Sequence, residues 1–193
     1  YERPPLSKAA LLDAAAPLSR LFSEQAVAEL NIDWRRPLRA ESIDAEQQIV
    51  TLSDGRRLQF EQLLIATGGR PRLPGAAWAQ HPRVMTLRSW DDAARLRQGL
   101  QSCRRLAIVG GGWIGLEIAA SARRLGVEVT VFERQPALCM RSVGADVSQA
   151  LLELHRRQGV TVLCGCGEIS LEDRDGAAWI GSEVSDPQAF DLV

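Results

Sequence analysis

Three glycines and one acid stand in this chain where a nucleotide phosphate and its ribose could be held. Gly110, Gly112 and Gly115 make G-x-G-x-x-G, after the apolar run of residues 106–109 and before a helical segment opening at Trp113. Glu133 closes a second β-branched run, about twenty residues further on, as a dinucleotide-binding βαβ unit requires. Gly110 would permit the tight turn, Gly112 would let backbone amides approach a pyrophosphate, and Gly115 would let helix and strand pack closely. The Glu133 carboxylate would accept hydrogen bonds from ribose hydroxyls and repel a 2′-phosphate, although Arg134 beside it works against that preference. The plainer alternative is a glycine-rich turn in another α/β domain with Glu133 a solvated strand end. The complete order of strand, turn, helix, strand and acid favours the nucleotide.

Other chemistry is harder to place. Cys103, Cys139, Cys164 and Cys166 include no C-x-x-C and no metal-ligand spacing, so all four read as reduced thiols and no metal site is expected. His81 and His155 are far apart and read as structural. Arg3 and Lys8 bracket a proline turn, where two cations and a helix N-terminus could face one anion. Plain surface solubility is the equal alternative. The composition, 46% hydrophobic and 24% charged with net charge −1, is that of an ordinary globular chain and gives no reason to expect a nucleic-acid partner. No apolar run reaches the length of a membrane helix and no signal-peptide pattern is present, so no membrane partner is expected and the expected location is the cytoplasm.

The elements that must position these residues follow from punctuation and period. In YERPPLSK the two prolines start the chain extended and Ser7 is expected to cap a short helix. Residues 18–30 show a helical period with Leu18, Leu21, Phe22, Ala26 and Leu30 on one side. Residues 49–52 and 57–60 flank Asp54-Gly55, a two-residue hairpin signal. The apolar run 63–66 predicts a strand buried on both faces and ended by Thr67-Gly68-Gly69. A proline-rich loop leads to residues 84–87, and helical spacing returns at 91–100. Beyond, Arg123-Arg124-Leu125-Gly126 and Arg156-Arg157-Gln158-Gly159 each describe a helix stop feeding a strand. With Val147, Ala150, Leu151 and Leu154 as a helix face, this predicts βαβαβ with helices covering a parallel sheet. A β excursion and a last parallel strand should follow. The fold class is α/β, with a domain boundary near Ser102 that divides the chain into 1–102 and 103–193.

YERPPLSK, LLIATGGRPR, TLRSWDDAARLR and IVGGGWIGLEIAASARRLGVEVTVFERQPALCMR follow one another over nearly the whole chain. In that order they resemble flavin-dependent pyridine-nucleotide oxidoreductases, most closely the ferredoxin reductase components of bacterial aromatic-ring dioxygenase systems of the phenylpropionate type. The resemblance implies a three-layer FAD/NAD(P)-binding fold, with 1–102 a partial FAD-binding domain and 103–193 an NAD-binding domain lacking most of its last strand. It implies that Arg3, Pro4 and Lys8 line the flavin, Lys8 near the isoalloxazine, with Thr67, Gly68 and Arg88 also bordering FAD. It further implies that Gly112, Ile114, Glu117, Glu133 and Arg141 bind NADH, Glu117 on the nicotinamide side; from position alone, Glu117 is simply an acid suited to a first helical turn. Related disulfide reductases carry a redox-active cysteine pair, and its absence here implies electron transfer to an iron–sulfur ferredoxin.

Such reductases begin with another glycine motif for the FAD pyrophosphate and end with a flavin-contacting segment and an interface domain. Starting at Tyr1 and stopping at Val193, this chain is expected to be a piece of one, with Leu6, Leu11 and residues 63–66 short of packing neighbours and residues 1–88 partly disordered. Two functions are open. One is an enzyme piece passing electrons from NADH through FAD to a ferredoxin, with rubredoxin reductases and NADH oxidases as enzyme variants. The other is an NADH-binding module without turnover.

Overall fold

Proline decides how the chain enters the fold. In the computed structural model, which describes residues 1–18 and 20–193, Pro4 and Pro5 open a 3-10 turn, Pro4–Ser7, their fixed φ being suited to a first helical turn. Helix α1 (Ala9–Leu12) follows with Lys8 at its N-cap and no side-chain cap. Ser7 therefore does not cap it, against the sequence expectation; it is buried and its hydroxyl is spent elsewhere. The chain forms two compact units, Arg20–Gly69 alone and Tyr1–Ser19 together with Arg70–Val193.

In the smaller unit, Ser23 accepts the Ala26 N–H at 3.0 Å and so fixes the start of α2 (Glu24–Glu29). The helix is shorter than the period over residues 18–30 predicts, and Leu18, Leu21, Phe22 and Leu30 are exposed; Ser19, inside that span, lies outside the described residues. Strands β1 (Ala40–Asp44), β2 (Ile49–Leu52) and β3 (Arg57–Gln59) form an antiparallel sheet in that order. The turn between β2 and β3 spans four residues, not two. Only Gly55 has a positive φ there, with its N–H on the Leu52 carbonyl, whereas a two-residue turn of the Asp-Gly type needs both central residues there. Residues 63–66 form no strand, and Leu64 is 87% exposed. An apolar run becomes a buried strand only beside a partner, and no described residue pairs with it.

The larger unit continues with α3 (Ala76–Gln80) and α4 (Trp90–Ser102), the latter started by a capping box between Ser89 and Asp92. Then come β4 (Arg105–Val109), α5 (Trp113–Arg124), β5 (Glu128–Phe132), α6 (Ala145–Arg157) and β6 (Val160–Leu163). The three strands pair in parallel, Leu106 opposite Val129 and Val129 opposite Val160. Gly126 and Gly159 lie at φ +83 and +78 just past the two arginine-ended helices, the left-handed exit a helix stop needs. Strands β7 (Ile169–Arg174), β8 (Ala177–Ser182) and β9 (Ser185–Phe190) make a second antiparallel sheet.

Alternation along the parallel strands builds three layers. Leu106, Ile108, Val129 and Val131 pack with Leu96 and Leu100 of α4 and Leu116, Ala119 and Ala122 of α5. Ala107 and Phe132 pack with Ile169, Ile180 and Phe190 of the antiparallel sheet. Helices thus cover one face of the parallel sheet and β7–β9 the other. The face of α6 is Ser148, Leu151, Leu152 and His155, while Val147 and Leu154 are exposed. That i, i+3, i+4, i+7 stripe carries the helix on a small serine and on a histidine whose pKa burial lowers. β9 contains Pro187; as an edge strand it tolerates the missing donor. The last parallel strand is a single bridge, Leu192 beside Leu106, held where the Asp191 carboxylate accepts the Arg104 and Arg105 N–H groups at 2.9 Å.

Leu6 and Leu11 are fully packed in the same core as α4 and α5, which corrects the expectation that they lack neighbours. Leu11→Ala should therefore cost about 2–5 kcal/mol in urea unfolding, as large-to-small core changes do. A loss below about 1 kcal/mol, the range of exposed positions, would show that this segment is not docked.

Candidate functional site

The site is built on the turn between β4 and α5. Gly110 lies at φ +115, which L side chains rarely adopt, and its N–H donates to the Phe132 carbonyl at 2.8 Å. Gly112 is the N-cap of α5, with no side chain capping it, so the first amides and the positive end of the helix dipole face outward. A β-carbon at Gly112 would meet nothing within 4 Å; one at Gly115 would collide with the Gly110 carbonyl oxygen and press on Ile108. The first glycine thus serves conformation, the third close packing, and the second leaves open space in front of helix amides. That space fits a phosphate.

A cleft of about 640 Å³ opens there, lined by Val109, Gly110, Gly112, Trp113, Ile114 and Arg141 among others. A second pocket of about 280 Å³ is lined by Arg3, Pro4, Lys8, Arg88, Ile114 and Glu117 among others. Leu87, Trp113 and Ile114 belong to both walls. The chain brings these pockets together because Pro4–Ser7 packs on α5 in the core described above.

Glu117, one turn into α5, sits 2.7 Å from the Lys8 ammonium and also accepts from the Ser7 hydroxyl. Burial pushes the Glu117 carboxyl up, but hydrogen bonds from Lys8 and Ser7 and the Lys8 charge together hold it below the ordinary carboxylate value. It is therefore ionised at neutral pH. Lys8 has three donors; one goes to Glu117 and one to the Pro4 carbonyl at 3.3 Å.

Glu133 is not on the cleft wall as named above. One of its carboxylate oxygens accepts the Gly111 N–H at 2.6 Å and the other the Gln135 N–H at 2.7 Å, so it braces the turn from behind the strand tip. Thr67 and Gly68 lie in the other compact unit, Gly68 at φ +74. Sequence reasoning missed Gly111. Its amide is held by Glu133 and its carbonyl by the Cys139 N–H at 3.0 Å, and a β-carbon there would stand 2.5 Å from Leu138. Its place as the middle of three consecutive glycines was the available signal; the loop of Leu138 and Cys139 gave none. Cys139 is buried and its thiol is pushed up by burial and by Glu133, unlike a reactive thiolate. All four cysteines are free.

The family model described as pyridine nucleotide-disulphide oxidoreductase matches residues 1–188. The chain belongs to the pyridine nucleotide-disulphide oxidoreductase family. Within that family it is 42% identical, over 173 residues, to the ferredoxin--NAD(+) reductase component of the p-cumate 2,3-dioxygenase system of Pseudomonas putida, covering 90% of this chain and 43% of the relative. It is 38% identical to the corresponding 3-phenylpropionate/cinnamic acid dioxygenase component of Photorhabdus laumondii over 160 residues, 83% of this chain and 41% of the relative. The covalent putidaredoxin reductase–putidaredoxin complex matches with a TM-score of 0.90 and 33% identity, over the whole chain and 48% of the reductase. The chain spans less than half the length of these relatives. No described helix is long and apolar enough to cross a membrane.

Two alanine substitutions separate the glycine roles in this family turn. Gly115→Ala should destabilise the chain by about 1–3 kcal/mol through overpacking. Gly112→Ala should cost less, about 0.5–1 kcal/mol, because its methyl meets no neighbour and only the poorer N-cap preference of alanine counts, yet it should weaken dinucleotide binding. Denaturant curves and calorimetric titration of both variants check this; equal destabilisation would remove the distinction.

Proposed function

We propose that this chain carries the NADH site and part of the FAD site of a ferredoxin--NAD(+) reductase component that serves an aromatic-ring dioxygenase. Residues 103–193 hold the NADH, and residues 1–102 contribute to the flavin side. One observation carries the reading. The first turn of α5 offers open amides to the larger cleft and Glu117 to the smaller pocket, and the two share Trp113 and Ile114. A nicotinamide and a flavin must meet face to face, and this helix end serves both of their pockets.

The open amides at Gly112 receive the pyrophosphate, Gly110 and Gly115 shape the turn that presents them, and Ile114, Glu117, Glu133 and Arg141 bind NADH, with Glu117 on the nicotinamide side and Glu133 favouring ribose hydroxyls over a 2′-phosphate. Arg3, Pro4, Lys8 and Arg88 border the flavin. FAD supplies the chemistry when bound, accepting two electrons from a nicotinamide and giving them singly to an iron–sulfur partner. The protein side needs no general acid or base; Lys8 and Glu117 set local charge and Trp113 and Ile114 exclude water between the rings. The partner is a ferredoxin, by the names of the relatives, and NADH as donor fits a cytoplasmic location.

A second reading applies to this polypeptide by itself, an NADH-binding module with weak flavin affinity. It is favoured by a cradle that is complete in one unit, while Thr67 and Gly68 stand in the other beside an exposed apolar run. The chain has one G-x-G-x-x-G, at Gly110, and scattered cations replace a helix-end phosphate site poorly.

NADH should bind more tightly than NADPH, because Glu133 opposes a phosphate dianion. Equal affinities in isothermal titration would sink that role for Glu133. After FAD is added and the excess removed by gel filtration, flavin should be retained well below one per chain. Stoichiometric retention with bleaching by NADH would overturn the module reading and leave an active flavoprotein.

A further inference from the structure

Ser7 touches α5 at two points, and neither follows from the roles given to Lys8 and Glu117. Its hydroxyl donates to Glu117 Oε2, and its backbone carbonyl accepts the Ser121 hydroxyl at 2.9 Å. Glu117 and Ser121 are four residues apart and so lie on one face of the helix. Both serines are about 95% buried. A helical serine ordinarily bonds back to its own preceding turn; Ser121 spends its hydroxyl on residue 7, which is 114 positions away.

The two bonds do different things. A carboxylate has two oxygens, and the Ser7 hydroxyl takes one while the Lys8 ammonium takes the other at 2.7 Å. The Ser121 bond fixes the main chain of the 3-10 turn, whose carbonyl at Pro5 receives the Lys8 N–H at 3.1 Å. Without a latch on the backbone, the long Lys8 side chain could keep its ion pair while the turn slid along α5. With both bonds, Pro4 and Lys8 have one register against Trp113, Ile114 and Glu117, the residues that line the smaller pocket with them.

We propose that Ser7 and Ser121 are positioning residues, a two-point clip that orients the Glu117 carboxylate and holds the Lys8-bearing turn in a single register on α5. The clip deepens the reading of this pocket as the flavin side of the site. The charged groups lining the pocket are Arg3, Lys8, Arg88 and Glu117. A hydroxyl donating to a carboxylate favours its ionised form, so removal of the hydroxyl must raise the titration midpoint.

The test uses the 193-residue chain without added nucleotide, so that its outcome does not depend on whether the cleft takes NADH or the pocket takes flavin. The Glu117 carboxyl carbon is followed through a pH titration by NMR, and protection of the Lys8 amide by hydrogen exchange, in the wild type, Ser7→Ala and Ser121→Ala. In Ser7→Ala the Glu117 midpoint should move up while Lys8 stays protected. In Ser121→Ala the Lys8 amide should lose protection, with a smaller change at Glu117. An unchanged midpoint in Ser7→Ala, or undiminished protection in Ser121→Ala, would overturn the corresponding half of the clip. Equal upward shifts in both variants would assign the effect to loosened packing and overturn the role of the Ser7 hydroxyl.

Discussion

The close approach of α5 to the β4 turn is the constraint on which the rest of the unit depends. No β-carbon fits between Gly115 and the Gly110 carbonyl, so the helix starts almost on top of the strand end. From that one distance the helix distributes its faces. Leu116, Ala119 and Ala122 go into the core, while Glu117 and Ser121 meet the 3-10 turn. Its uncapped first amides look into the cleft. A helix displaced outward by a methyl group would lose its register with all three surroundings at once, because close-packed interiors do not absorb such shifts smoothly.

The parallel unit was legible because its signals are local and agree with one another. Apolar runs, arginine-ended helices and glycines at positive φ all mark the same boundaries, which is what a consistent local code provides. The glycine turn was legible for a stricter reason: a positive φ and a forbidden β-carbon leave no other residue for Gly110 and Gly115. The bracing of Gly111 by Glu133 and Cys139 was not legible. Those are backbone and carboxylate contacts across more than twenty residues, and no periodicity reports them.

Apolar pattern tells which residues can be buried, and not what covers them. Leu21, Phe22, Leu30 and residues 63–66 satisfy the pattern and stay exposed, because nothing described in their unit packs on them. In α6 the pattern misleads in the opposite sense. The packed stripe includes Ser148 and His155, and the more apolar Val147 and Leu154 face out. β9 shows the same priority of position over propensity, as Pro187 is allowed only because the strand is an edge.

The exposure of Trp113 and Ile114 bears on why two pockets meet where they do. They are 46% and 54% exposed at the start of an otherwise well-packed helix, which leaves unrealised much of the roughly 1.5–3 kcal/mol that burying a large apolar side chain contributes. Scattered apolar residues on a surface need no explanation, but these two are adjacent and form the wall common to both pockets. Lys8 and Glu117, on the wall of the smaller pocket, pair with each other. A planar ring laid on Trp113 and Ile114 from either pocket would thus recover apolar burial while Lys8 and Glu117 stay paired, which spares the cost of burying either charge alone. That balance lets one helix end border a phosphate cradle, an apolar wall and an ion pair within two turns.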